Sequence, residues 1–182
     1  RVVSAKAGPD YIDPAFHAAM TGRVAVNLDT WAMSAALLDM LAARAARSAD
    51  IFVIEGVMGL FDGAGDGGGS TADVAAWTGW PVVLVVDVRG QAASAAARVR
   101  GFIQHRADVP IAGVIFNRVG SAGHDRTLRT AVQPLDVPVL GCLPRDQGLA
   151  LPERHLGLVQ AGEQQDLEAF LERAADLLRG RP

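Results

Sequence analysis

Ile51-Phe52-Val53-Ile54-Glu55-Gly56-Val57-Met58-Gly59-Leu60-Phe61-Asp62-Gly63 decides how the chain is read. It begins with an unbroken apolar run, without the alternation of a half-buried strand. That pattern predicts a strand covered on both faces, as in a parallel sheet. The run stops on a carboxylate followed by glycine. Ligands of open α/β sheets collect at the carboxyl ends of the strands. Glu55 is expected at such an end, with Asp62 a short loop further on. An acidic residue there also serves as a solvated loop residue or a helix cap, and Glu55 alone does not choose between these readings.

Similar apolar runs lie on either side. Residues 1–6 read as a short strand ending in Lys6. Residues 82–86 form an uninterrupted strand ending in Asp87, residues 111–116 one ending in Asn117, and residues 137–142 one followed by Pro144-Arg145. Helices are expected over 14–20, with Asp13 as N-cap and Pro14 at the first position, and over 33–47, with Leu37, Leu41 and Ala45 on one face. Further helices are expected over 71–78, 92–106, 123–132 and 166–179, the last with Leu167, Phe170, Leu171, Ala174 and Leu178 in one stripe and Gly180 after its end. Residues 24–31 read as a connector, and those from 144 to about 165 as a loop. Strands alternating with helices predict a single α/β domain over 1–182, doubly wound around a mostly parallel sheet, with the functional strand ends on one edge.

The bulk numbers exclude several classes. The chain has 182 residues, 50% hydrophobic and 20% charged, which is globular rather than disordered composition. A net charge of −3 gives no nucleic-acid footprint. No apolar run is long enough to span a membrane and no signal-peptide pattern opens the chain. Cys142 is the only cysteine, so no internal disulfide forms, and a buried, inert thiol is expected. A soluble, cytoplasmic protein without a nucleic-acid or membrane partner is the expectation. Of 17 basic residues, Lys6 is the only lysine. In a chain that uses arginine elsewhere, a retained lysine points to a compact, flexible point charge.

Lys6 to Asp13 gathers one cation, two carboxylates and Tyr11. A lysine at a strand end can neutralise a transferred phosphoryl group, and Asp10 and Asp13 can hold Mg²⁺ directly or through water. The plain alternative is a surface turn with Asp13 capping a helix. Glu55 and Asp62 form a second acidic pair. Residues 63–70 are glycine-rich and end beside Thr71, but Gly69 stands where a Walker loop has lysine. They read as a flexible substrate-side loop in preference to a phosphate cradle. Asn117 either reads a purine edge or stabilises a turn. His17, His105, His124 and His155 have no metal-ligand spacing, and Trp31, Trp77 and Trp80 are read as packing residues.

Lys6-Ala-Gly-Pro-Asp-Tyr-Ile-Asp13-Pro, Glu55-Gly-Val-Met-Gly-Leu-Phe-Asp62-Gly, Asp87-Val-Arg-Gly-Gln91, Gly113-Val-Ile-Phe-Asn117-Arg and Leu143-Pro-Arg-Asp146 together resemble the cobyrinic acid a,c-diamide synthase family, including its hydrogenobyrinic acid form. The tail Leu151-Pro-Glu-Arg-His-Leu-Gly-Leu158 fits as well. The resemblance implies a P-loop NTPase fold similar to dethiobiotin synthetase, with the first strand and P-loop absent from this chain. It implies ATP- and Mg²⁺-dependent amidation of a corrin precursor through an acyl phosphate, in cobalamin biosynthesis. By that analogy Lys6 contacts phosphates and Asp10 and Glu55 organise Mg²⁺. Tyr11, Ile12, Asp13 and Asp62 face the macrocycle, and Asn117, Pro144 and Arg145 hold adenine. The family's glutamine amidotransferase domain is absent too, so a fragment inactive by itself is expected, with a homodimer compatible. A ParA- or MinD-like ATPase switch and a non-catalytic interaction module are the competing readings. The switch does not account for Asp10-Tyr11-Ile12-Asp13 or Asp62, whereas the missing P-loop keeps the interaction module open.

Overall fold

The computed structural model describes residues 1–47, 49–65, 67–149, 153–154, 157–163 and 166–179. Asp66 of the glycine-rich loop, residues 151, 152, 155 and 156 of the tail motif, and Gly180 lie outside the described residues. The chain divides into two compact units, Arg1–Thr78 with Leu151–Leu167, and Gly79–Ala150 with Glu168–Pro182.

The first unit is built on β1 (Val2–Ala7), α1 (Asp13–Thr21), β2 (Val26–Leu28), α2 (Ala35–Ala46), β3 (Ile51–Glu55) and α3 (Thr71–Thr78). Its three strands are parallel in the order β2-β1-β3. β2 and β3 flank β1 on opposite sides, so the winding reverses about β1. The core is Ala5, Leu28 and Leu38, packed by Val26, Met33, Leu41, Phe52, Ile54 and Trp77.

The second unit carries β4 (Val82–Asp87), α4 (Ala95–His105), β5 (Ile111–Val119), α5 (Ala122–Val132), β6 (Val139–Pro144) and α6 (Leu167–Arg179). Its strands are parallel in the order β4-β5-β6. Phe116, Val99, Val114, Leu128 and Val132 are fully buried, each contributing about 2 kcal/mol of burial. In the first unit the tail also forms a two-residue antiparallel pair, β7 (Glu153–Arg154) and β8 (Gly157–Leu158), inside the stretch expected to be loop.

The α/β class and the parallel strands are as expected, but details differ. The ladder forms two three-stranded sheets, and β3 and β4 are not paired with each other among the described residues. One face of β3 is open, with Ile51 58% and Val53 49% exposed, so the apolar run there is not covered on both sides. The expected connector contains β2, whose three residues are too few to show periodicity. Asp13 does not cap α1; the cap position is Ile12 and the turn before it is closed by Asp10. On α2 the buried leucine is Leu38, which packs with Ala5 and Leu28, and Leu37 is exposed. Asn117 lies inside β5, not after it. On α6 the half-buried stripe ends on Leu177, and Leu178 faces outward. Trp77 packs on the core, whereas Trp31 is largely exposed.

Candidate functional site

In the first unit one row of residues crosses the sheet near the carboxyl ends of the strands. Lys6 is in register with Asn27 on one side and with Glu55 on the other. Lys6 is 3% exposed. A buried ammonium is stable only when paired, and α1 and β3 supply the partners. Lys6 Nζ donates to Asp13 Oδ2 and lies 3.7 Å from Asp10 Oδ2 and 3.7 Å from Glu55 Oε2. Burial pulls the Lys6 pKa down, but Asp13, Glu55 and Asp10 outweigh it and hold it above the ordinary lysine value.

The loop between β1 and α1 is shaped to present these acids. Gly8 adopts φ +80, a left-handed conformation that glycine takes without strain. Asp10 Oδ1 accepts the backbone N–H of Ile12 at 2.8 Å and of Asp13 at 3.3 Å. Burial raises the Asp10 pKa, yet these two N–H donors and Lys6 bring it below the usual carboxylate range. Asn27 Nδ2 donates to the Asp10 carbonyl at 2.7 Å, tying β2 to the same loop. One helical turn beyond Asp13, on the same face of α1, His17 Nε2 lies 2.5 Å from Glu55 Oε2. Tyr11 is exposed beside this cluster in sequence, and Ile12 is half-buried.

Asp62 is not among the carboxylates paired with Lys6. Its Oδ2 accepts the N–H of Gly59 at 2.9 Å, and it is exposed. The loop after β3 is closed further on by Thr71, whose hydroxyl accepts the Val57 N–H at 3.2 Å. Ser70 and Asp73 bond each other's N–H groups reciprocally at the start of α3, as in a capping box. Ser70 and Thr71 are therefore engaged locally, which agrees with reading residues 63–70 as something other than a Walker loop. Gly69 sits where a Cβ would lie 2.6 Å from the Trp31 Cβ.

In the second unit the strand ends make a different cluster. Asp87 accepts from the Arg89 backbone N–H at 2.9 Å and from Arg118 Nη1 at 3.0 Å, and its carbonyl accepts from Arg98 at 3.2 Å. The Arg89 N–H lowers the Asp87 pKa most; desolvation opposes it, and the charges of Arg118, Arg89 and Arg98 lower it further. Asn117 is the cross-strand partner of Asp87, and its side-chain oxygen accepts the Arg118 N–H at 2.8 Å. Pro144 pairs with Val119, whose carbonyl accepts the Arg145 N–H at 3.2 Å. Cys142 is buried, and burial first, then Asp125, raises its thiol pKa to about 11.

The structure thus gathers Lys6, Asp10, Asp13 and Glu55, and separately carries Asn117 and Pro144 on the adjacent strands β5 and β6, with Arg145 directly after β6. Sequence reasoning missed His17 and Asn27. The Asp13-to-His17 spacing of four was a readable signal for a shared helix face. Asn27 had none, since β2 itself was not seen. Among the described residues no three His, Cys, Asp or Glu side chains form a metal cage, and no helix is long and apolar enough to cross a membrane.

A family model described as an AAA domain matches residues 11–153. A hydrogenobyrinate a,c-diamide synthase from Brucella anthropi is 60% identical over 174 residues, covering 95% of this chain and 40% of the relative. The proteins of that name from Rhodobacter capsulatus and Rhizobium meliloti are 54% and 53% identical over 98% and 96% of the chain. The chain spans about two fifths of the length of these curated relatives.

Proposed function

The chain belongs to the AAA domain family, and from that membership we propose that it is the ATP-dependent synthetase part of an enzyme amidating the a and c side-chain carboxylates of hydrogenobyrinate, or of the related cobyrinate, in cobalamin biosynthesis. The observation that carries the reading is the buried Lys6 set among Asp10, Asp13 and Glu55 at the end of a parallel sheet. Identity of 60% to a protein named for that activity supports the substrate class.

A free carboxylate is a poor electrophile, and oxide a poor leaving group. In the proposed route a substrate carboxylate oxygen attacks the γ-phosphorus of ATP and ADP leaves. Ammonia then attacks the acyl carbon, and inorganic phosphate departs with the C–O electron pair. Lys6 contributes fixed positive charge near the transferring phosphoryl group. Asp13 holds that ammonium in place, and Tyr11, Ile12, Asp13 and Asp62 are assigned to the substrate side. By the family resemblance Asn117, Pro144 and Arg145 are assigned to the adenine.

Asp10 and Glu55 fit Mg²⁺ in their chemistry. Both are carboxylates with part of their surface open, and Mg²⁺ is commonly held by one or two carboxylates with the rest of its shell water and phosphate. When bound, the ion would offset phosphate charge. Cys142 is unsuited to attack glutamine, because a nucleophilic thiol needs a lowered pKa. The ammonia is therefore assigned to a glutaminase outside these residues.

Incubating the intact protein with ATP, Mg²⁺, glutamine and hydrogenobyrinic acid tests the reading by mass spectrometry. Two carboxyl-to-carboxamide conversions are expected, with release of ADP and phosphate. ATP hydrolysis with no change in the corrinoid's mass would instead favour a nucleotide switch.

A further inference from the structure

His17 has no part in the route above, yet it makes one of the shortest side-chain contacts in the first unit. We propose that His17 is a positioning residue for Glu55, fixing one carboxylate oxygen so that the other is presented outward to the Mg²⁺·nucleotide. The inference rests on the reading of Glu55 as a metal-organising carboxylate and adds a residue to it.

The two oxygens of Glu55 differ in their surroundings. Oε2 lies 2.5 Å from His17 Nε2 and 3.7 Å from Lys6 Nζ. Oε1 is bound by neither. The side chain is 49% exposed, so without a tether it would sample several rotamers, each with its own direction for the free oxygen. Holding one oxygen from a helix and leaving the other open is how an outer-shell partner orients a metal-binding carboxylate.

The histidine is set to act as a donor. Its ring is mostly buried, and its Nδ1 is buried with no hydrogen-bond partner. A bare lone pair there leaves no donor orphaned, whereas a proton on Nδ1 would be a buried N–H without an acceptor. The neutral tautomer with its proton on Nε2 satisfies both ends, and that proton points at Glu55. A role for His17 as the base of the reaction is ruled out by the same geometry. Nε2 is occupied by Glu55, and Nδ1 is sealed from any substrate. His17 is carried by α1 one turn after Asp13, so the helix that supplies a carboxylate to Lys6 also aims the carboxylate of β3.

Three variants of the intact protein, His17→Phe, His17→Gln and His17→Asn, test this against Glu55→Gln. The readout is ATP affinity by calorimetry with and without Mg²⁺, together with the imidazole ¹⁵N spectrum of the wild type. His17→Phe should weaken Mg²⁺-dependent ATP binding about tenfold while leaving Mg²⁺-free binding unchanged. His17→Gln, whose amide nitrogen reaches the Nε2 position, should restore it to within a few-fold; His17→Asn, which is shorter, should not. The spectrum should show the Nε2-protonated tautomer. Should His17→Phe fail to fold, the Gln and Asn pair still decides, since both are polar and small. Equal binding by the Gln and Asn variants, or a ring whose Nε2 carries no proton, overturns the inference. If Glu55→Gln keeps full Mg²⁺ dependence, the metal reading of Glu55 itself falls. If Glu55→Gln loses that dependence and all the His17 variants keep it, only the role of His17 falls.

Discussion

The two units carry opposite arrangements at their strand ends. The first sets one lysine among three carboxylates; the second sets one aspartate, Asp87, among Arg89, Arg98 and Arg118. The difference that matters is depth. The Lys6 side chain is 4% exposed and that of Asp87 is 42% exposed. A buried ion depends on every partner, because removing one leaves charge without water to receive it. An exposed ion exchanges a lost partner for solvent and salt. The first cluster is therefore a fixed unit suited to organising chemistry, and the second is adaptable.

The largest expected effect follows from breaking the buried cluster. Lys6→Met should destabilise the protein by about 3 kcal/mol, toward the low end for a broken buried pair because the carboxylates keep some water. Denaturant unfolding measures this, and a loss below 1 kcal/mol would show that the three acids do not need the lysine. Lys6→Arg should be nearly as harmful, since a planar fork does not fit a closed site built for an ammonium. The same exchange reversed in the second unit, Arg118→Lys, should be almost silent in the same measurement.

The clusters should also separate by pH. Lys6 has a raised pKa in the folded state. Its contribution is complete below the unfolded value of 10.5 and is lost as pH rises through the higher folded value. Cys142, raised from 9.0 to about 11, adds a loss of the same sign between those two values. Unfolding free energies followed into alkali should therefore fall, and Lys6→Met should fall less. Asp87 has a lowered pKa. Its contribution is present above 3.8 and disappears as pH drops through the folded value. Asp87→Asn should cost only about 0.5 kcal/mol, and about 1 M salt should erase most of that. A salt-independent cost would mean that Asp87 is held as tightly as Lys6.

Much of the first cluster was legible because its members are strand-end residues after apolar runs. Lys6 and Glu55 each close such a run, and parallel pairing then places them side by side. The α/β class followed from the same alternation. What was not legible depended on tertiary contact or on short elements. β2 has three residues and no period, so Asn27 was invisible. The burial of Leu38 in place of Leu37 depends on which face α2 turns to Ala5 and Leu28, a tertiary contact. Asp13 looks like a helix cap in any sequence with proline after it, and only the position of Lys6 turns its carboxylate inward. The separation of β3 from β4 into different sheets has no local signature, since both are apolar strands followed by acids.

Asp62 offers the finest test, because the family resemblance implies a substrate role for it and the structure shows it closing its own loop. Its Oδ2 accepts the Gly59 N–H, and a Cβ on Gly59 would lie 2.4 Å from that oxygen. Asp62→Asn keeps an acceptor oxygen in place for Gly59, so the loop should survive with a stability change within about 0.5 kcal/mol. What the exchange removes is charge. If Asp62 works on the corrinoid, amidation by the intact protein should fall while ATP affinity stays within twofold of wild type. If instead ATP affinity falls in step with amidation, the charge belongs with Lys6 and its partners. If neither changes, Asp62 is a loop residue whose carboxylate could be any acceptor.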